Sequence, residues 1–234
     1  MGVSENVRTI PSGGLPGRPI AAVVALVGIA SGVLVGQGGL DTVVGCGSPA
    51  DDYPSRTARD WVTNADHVVV ATTTAERDAD KREIDSGPVQ FVVSRTVTFR
   101  ADAVLWSAQR PRHTLDKDFD MEAAGWSVYR NSGTRIKRTT AAAPRLEPGH
   151  TYVLALRWES DRWVVLGEGA AVPFDDRTAG RGEWCGRVLS EDDVALGERF
   201  SRLDDDSLEE DVKGQDERAV VRELEQARKP TPGS

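Results

Sequence analysis

Between Val89 and Leu105 apolar and polar residues alternate with a period of two over an unusually long stretch. Val89, Phe91, Val93, Val97, Phe99, Ala101, Ala103 and Leu105 fall on one side, interrupted only by Arg95. Gln90, Ser94, Thr96, Thr98, Arg100 and Asp102 fall on the other. Such alternation predicts a β-strand with one face buried. Laid flat, it would run roughly 55 Å at about 3.3 Å per residue, which a compact domain does not hold. The strand must coil strongly or break at a bulge, as strands of small closed barrels do.

The rest of the middle of the chain follows the same pattern. His67 to Ala75 is rich in β-branched residues and predicts a strand, while the charged stretch Asp78 to Gly87 predicts a loop. Trp126–Tyr129 and Thr134–Arg138 flank a turn at Arg130–Gly133, and so form a hairpin. Tyr152, Leu154, Leu156 and Trp158 alternate on a strand that turns at Glu159–Asp161 and returns through Trp163–Leu166. Ser55 to Asn64, after Pro54, predicts a short helix with Ser55 as its N-cap. About six strands, one short helix and no strand–helix–strand rhythm predict a mainly β domain, a small OB-like β-barrel, over residues 55–186.

The pattern is broken at both ends. Pro19 to Leu40 carries no charge, and Ile20 to Val35 is almost wholly apolar or glycine. About 20 such residues cross the hydrocarbon core of a membrane. Arg8 and Arg18 precede the run, and Asp41, Asp51 and Asp52 follow it. Positive-inside logic therefore puts residues 1–18 in the cytoplasm, uses 19–40 as a transmembrane or signal segment, and exports the remainder behind a 41–54 linker. The expected place is the cell membrane, single-pass or lipid-anchored, with the main domain extracytoplasmic.

Beyond the barrel, Ser190 and Asp193 open a helical pattern, Ser207–Glu210 has the form of a capping box, and Gly214 precedes a further helix from Arg218 to Arg228. Residues 187–228 read as an acidic helical appendage, packed on the barrel or standing free, and 229–234 as a disordered tail.

Charge and cysteine content narrow the function. The 234 residues carry a formal net charge of −8, and no basic stripe is interleaved with aromatics, so nucleic acid is not an expected partner. The two cysteines, Cys46 and Cys185, flank the β-domain. In an oxidising compartment they can pair. Val43–Cys46 also matches a lipobox, in which Cys46 carries lipid instead; the two fates exclude each other.

The stretches Ala65–Ala71, Val104–Trp106 and Leu146–Leu154 resemble, in that order, motifs of exported or membrane-anchored proteins of high-GC Gram-positive bacteria. A similar order occurs in OB-like barrels of the netrin or tissue-inhibitor kind. The resemblance covers Ala65 to about Gly169. It implies the fold and an extracytoplasmic place, and it implies no activity and no catalytic residue.

No G-x-S-x-G, H-E-x-x-H, P-loop or dinucleotide fingerprint occurs, and no cofactor is expected. Three readings of function stay open, one of them that the C-terminal helices recruit a partner while the barrel is a spacer. Trp106, Trp126, Trp158 and Trp163 can form an aromatic face on the barrel, the mark of a non-enzymatic module that binds an envelope protein or polymer. Alternatively, His67, His113 and His150 can serve a cell-surface hydrolase or metal-dependent enzyme if at least two of them converge. Their spacing matches no metal motif. Asp116, Asp118 and Asp120 begin like a calcium loop, but Met121 stands where glycine is needed and Ser127 where the bidentate glutamate belongs.

Overall fold

The computed structural model describes residues 43–47, 52–140, 143–184, 187–189 and 206–229. The strands are β1 (Val43–Gly47), β2 (His67–Glu83), β3 (Val89–Ser107), β4 (Asp118–Tyr129), β5 (Arg135–Thr140), β6 (Thr151–Glu159), β7 (Arg162–Val165), β8 (Ala171–Pro173), β9 (Gly182–Trp184) and β10 (Arg187–Leu189). The helices are α1 (Ala58–Asn64), α2 (Leu208–Val212) and α3 (Glu217–Ala227). The fold is mainly β. One mixed sheet runs in the order β1-β5-β4-β3-β2-β6-β7, with β8 also on β6, and β9 pairs with β10 apart from it. The two ends of the path β4-β3-β2-β6-β7 meet at one parallel bridge, Met121 opposite Trp163.

The long alternation forms β3 as expected, and it is bulged. Its ladder with β4 shifts register between Val89 and Phe91 and between Val93 and Ser94. The ladder with β2 shifts at four places, including Val68/Val69 and Thr73/Ala75. Gly125 on β4 marks one of these irregularities. A side chain there would put its Cβ 2.4 Å from the Val93 carbonyl oxygen, so glycine alone fits.

Two expectations are corrected. The stretch from Asp78 is not a loop: β2 continues to Glu83 because β3 pairs with it as far as Phe91. Its side chains there are exposed and so tolerate charge. Helix α1 begins at Ala58, with Thr57 rather than Ser55 as N-cap. Thr57 Oγ1 accepts from the Asp60 N–H at 3.1 Å, and the Asp60 carboxylate accepts from the Thr57 N–H at 2.9 Å, a reciprocal capping box. Ser55 is buried instead. Its Oγ accepts from the Gly169 N–H at 3.1 Å, and its carbonyl accepts from Trp61 Nε1 at 2.6 Å.

The sheet carries a core on each face. On one, Val68 and Val70 of β2 and Val153 and Ala155 of β6 pack beneath Trp61 of α1, Leu208 and Val212 of α2, and Ala219, Val220 and Leu224 of α3. The C-terminal helices therefore pack on the sheet. Ser207 caps α2 by accepting from the Glu210 N–H at 3.3 Å. On the other face, Val69, Val97, Phe99, Phe119, Met121, Tyr152, Leu154, Leu156 and Trp163 form a second cluster. Strand β6 serves both, so the alternation of Tyr152, Leu154 and Leu156 faces one core while the residues between them face the other.

The apolar segment 19–40 and the helical pattern opening at Ser190 lie outside the described residues. Among the described residues no helix is long and apolar enough to cross a membrane. Cys46 lies on β1 opposite Thr139 of β5. Cys185 lies outside the described residues, and the pairing and lipidation expectations lie outside them too.

Candidate functional site

Helix α1 delivers the chain directly into β2, and the first two residues after its C-cap, Asp66 and His67, are both buried. Asp66 accepts from the Trp158 N–H at 2.8 Å, from the Arg112 N–H at 2.9 Å and from Arg112 Nη1 at 3.1 Å. Burial pushes its carboxyl up, but those two N–H donors and the Arg112 guanidinium outweigh it and hold the group below its ordinary 3.8. His67 takes the other end of the same loop. Its Nε2 lies 3.0 Å from the His113 carbonyl and its Nδ1 lies 2.8 Å from Ser107 Oγ. A carbonyl only accepts, so Nε2 carries a proton, and in the neutral ring Nδ1 then accepts from the Ser107 hydroxyl. Two adjacent buried residues thus hold the β3–β4 loop at Ser107, Arg112 and His113.

Above this anchor sits an aromatic stack. The exposed His113 ring lies on Trp158 with centroids 3.8 Å apart and planes 11° from parallel. Trp158 meets the buried Trp163 edge-on at 5.0 Å. The rings of His67 and His113 also lie edge-on to Trp163, at 5.5 and 5.8 Å. The β6–β7 turn supplies both tryptophans: Ser160 and Asp161 have φ of 49° and 61°, the left-handed pair of a tight hairpin turn, and Trp158 pairs with Trp163 across it.

Of the residues singled out from sequence, His67, His113, Trp158 and Trp163 come together here, and the others lie elsewhere. Trp106 packs against the helix-covered core. Trp126 lies beneath two guanidinium groups, Arg135 at 4.2 Å and Arg145 at 5.2 Å. His150 Nδ1 pairs with Asp175 Oδ2 at 2.6 Å. That bond, opposed by burial and assisted by the negative charge of Asp175, raises the His150 pKa above 6.5. Among the described residues no group of three or more His, Cys, Asp and Glu side chains is placed to hold a metal ion.

Sequence reasoning missed a second cluster. Arg95, the one interruption in the β3 alternation, points inward with its side chain fully buried. Its Nη1 pairs with Glu76 at 2.5 Å, its Nε donates to the Ala124 carbonyl at 2.8 Å, and its Nη2 donates to the Arg145 carbonyl. Arg145, also fully buried, pairs with Glu147 at 2.7 Å and donates to the Gly125 carbonyl at 3.1 Å. Lys137 reaches Glu147 at 2.9 Å. Glu183 Oε2 accepts from the Arg145 N–H, the Leu146 N–H and the Tyr152 hydroxyl. Three cations, Arg95, Arg145 and Lys137, therefore face two carboxylates, Glu76 and Glu147, while Glu183 is held by the two backbone N–H groups and the Tyr152 hydroxyl. Burial drives Glu147 up, yet Arg145, Lys137 and Arg95 hold it below 4.5. Burial and the negative charge of Glu183 raise Tyr152 well above 10. A buried, hydrogen-bonded set of this kind ties strands together.

No family model matches the chain, and a search of curated proteins returns no match.

Proposed function

We infer that this protein is a membrane-tethered extracytoplasmic binding module, without enzymatic activity, whose binding surface is the His113–Trp158 stack. The observation that carries this reading is the anchoring of the stack. The exposed His113 ring, on a loop held by two buried residues, Asp66 and His67, stacks on the half-buried Trp158 of β6, so ligand binding orders little that is not ordered already. Loops on a rigid scaffold are where binding residues concentrate. Among the described residues Val104 is the one large apolar side chain left exposed, so the surface they form carries no broad apolar patch of the kind a stable protein partner covers. A ring platform beside the half-exposed Arg112 guanidinium suits an envelope polymer that presents ring faces and negative groups.

The tether is the 19–40 segment, retained or replaced by lipid at Cys46, and the fold is an OB-like barrel of the netrin or tissue-inhibitor kind. The barrel is supported by the path β4-β3-β2-β6-β7 and the Met121–Trp163 bridge between its ends. The place is supported by the apolar run and its flanking charges. The experiment is co-sedimentation of the full chain, in detergent micelles, with insoluble cell-wall polymer. Trp158→Ala and His113→Ala should each reduce the bound fraction several-fold, while Trp126→Ala should not. Equal retention of all three variants would refute the reading.

One observation favours a second reading, a cell-surface hydrolase. Ser107 is exposed, and its hydroxyl donates to a histidine whose tautomer the His113 carbonyl sets, the geometry of an activated serine nucleophile. A fluorophosphonate probe distinguishes the two. Covalent labelling lost in Ser107→Ala would establish the hydrolase, and absence of labelling would leave the binding module.

A further inference from the structure

A cavity of about 310 Å³ lies between strands β2, β3 and β6 and Glu217, the first residue of α3. Val70 and Phe174 line it from the buried side, and the exposed Asp176 and Arg177 line it from the solvent side. Those last two belong to one turn, 175–178, whose ends are pinned. The Phe174 N–H donates to the Thr151 carbonyl at 2.8 Å. Ala179 exchanges two bonds with the connection between α2 and α3: its N–H donates to the Gln215 carbonyl, and its carbonyl accepts from the Gly214 N–H, both at 2.9 Å.

Between those pins the turn is strained. Asp176 and Arg177 hold φ of 50° and 61°, left-handed values that residues other than glycine adopt at a cost. The crest pairs Arg177 with Glu217 and Asp176 with Arg181, and ion pairs this exposed contribute little in water. The firm attachment is Asp175. One of its carboxylate oxygens accepts from the Thr151 N–H at 2.8 Å, and the other meets His150 Nδ1 at 2.6 Å. A Cβ on Gly182 would fall 2.7 Å from that second oxygen, so the backbone of β9 closes the carboxylate in. The His150 backbone is fixed in turn, because its carbonyl accepts from the Thr73 N–H of β2 at 2.9 Å.

We propose that the turn 175–178 is a lid on this cavity, latched by the His150–Asp175 pair and freed when His150 loses its proton. This lid is separate from the His113–Trp158 stack and does not depend on the role given to that stack. The bond to Asp175, opposed by burial and helped by the charges of Asp175, Glu183 on β9 and Glu147 on the preceding turn, raises the His150 pKa above 6.5. Arg145 and Lys137 hold Glu147 ionised, and the Tyr152 hydroxyl titrates only well above 10. The latch is therefore fully charged below about 6.5 and weakens as pH rises through the folded value. A neutral imidazole keeps only an uncharged hydrogen bond, roughly half as strong as the charge-assisted one, while the strain at Asp176 and Arg177 is undiminished.

The test is amide hydrogen exchange by NMR on the full chain in detergent micelles, corrected for the intrinsic effect of pH on exchange. The reporters are Thr151, Asp175 and Thr178, whose N–H groups bond within the latch and the turn, with Leu154 of β6 as reference. Raising pH from about 5.5 to about 8.5 should lower protection at the three reporters about threefold or more and leave Leu154 unchanged. Over the same range the soluble nitroxide TEMPOL should begin to broaden the Val70 methyl signals, because the buried wall of the cavity becomes reachable. His150→Gln should make both readouts independent of pH, and so should Asp175→Asn. Reporter protection that stays flat in the unaltered chain would overturn the proposal, as would a pH response that survives His150→Gln. Loosened amides without broadening at Val70 would overturn the lid as well. If neither variant folds, the two readouts of the unaltered chain decide together: absence of either one overturns the proposal.

Discussion

The two faces of the sheet solve the same problem in opposite ways. The face under α1, α2 and α3 is an apolar core in which Trp61, Val68, Leu208, Val220 and Leu224 are almost wholly removed from water. The other face shares its apolar cluster with Arg95, Arg145, Glu147 and Glu183, all buried. Apolar burial is non-directional and contributes roughly in proportion to area. An ionic set contributes only while every member is present, because each charge left alone in the interior is costly. The helix-covered face should therefore yield by degrees, and the inner face all at once.

The largest effect that separates them is expected at Arg145. Arg145→Ala leaves Glu147 short of its main partner and should cost about 3–5 kcal/mol, read as a lower midpoint in urea unfolding. A loss under 1 kcal/mol would place the network among dispensable surface pairs. On the helix-covered face Leu224→Ala should cost roughly 2–4 kcal/mol through the cavity it opens, with a value insensitive to salt. Thr57→Ala removes the cap of α1 and should cost about 1 kcal/mol, measured the same way.

Dependence on pH sharpens the same contrast. Asp66 and Glu147 have depressed pKa values in the folded state. Their stabilisation is present above their unfolded values and is lost as pH falls through the folded ones. His150 is raised, so its stabilisation is full below about 6.5 and is lost as pH rises through the folded value. His150→Gln should flatten the alkaline limb of the stability curve and leave the acid limb intact. An unchanged alkaline limb would mean that the His150–Asp175 pair contributes nothing.

What the chain reveals before folding follows from how local each signal is. The β3 alternation and the hairpins at 130–133 and 159–161 are readable because a strand's period and a turn's chemistry lie within a few residues. Strand β2 past Ala75 is not, since its charged residues are held by β3 and not by their own propensity. The buried network was visible only as the oddity of Arg95 in an apolar row. Its partners lie 19 residues before it at Glu76 and 50 after it at Arg145, and Glu183 lies 38 beyond that, with no pattern linking them. The aromatic site was half legible. Trp158 and Trp163 face each other across a readable turn, whereas His113 reaches them only because His67, 46 residues earlier, holds its carbonyl.

The central claim is that the anchored His113–Trp158 stack binds an envelope polymer. Titration of solubilised cell-wall polysaccharide against the full chain, followed by tryptophan fluorescence, tests it most directly. The account predicts a saturable change in emission that disappears in Trp158→Ala and persists in Trp126→Ala. A change that survives Trp158→Ala, or no saturable change in the unaltered chain, would contradict it.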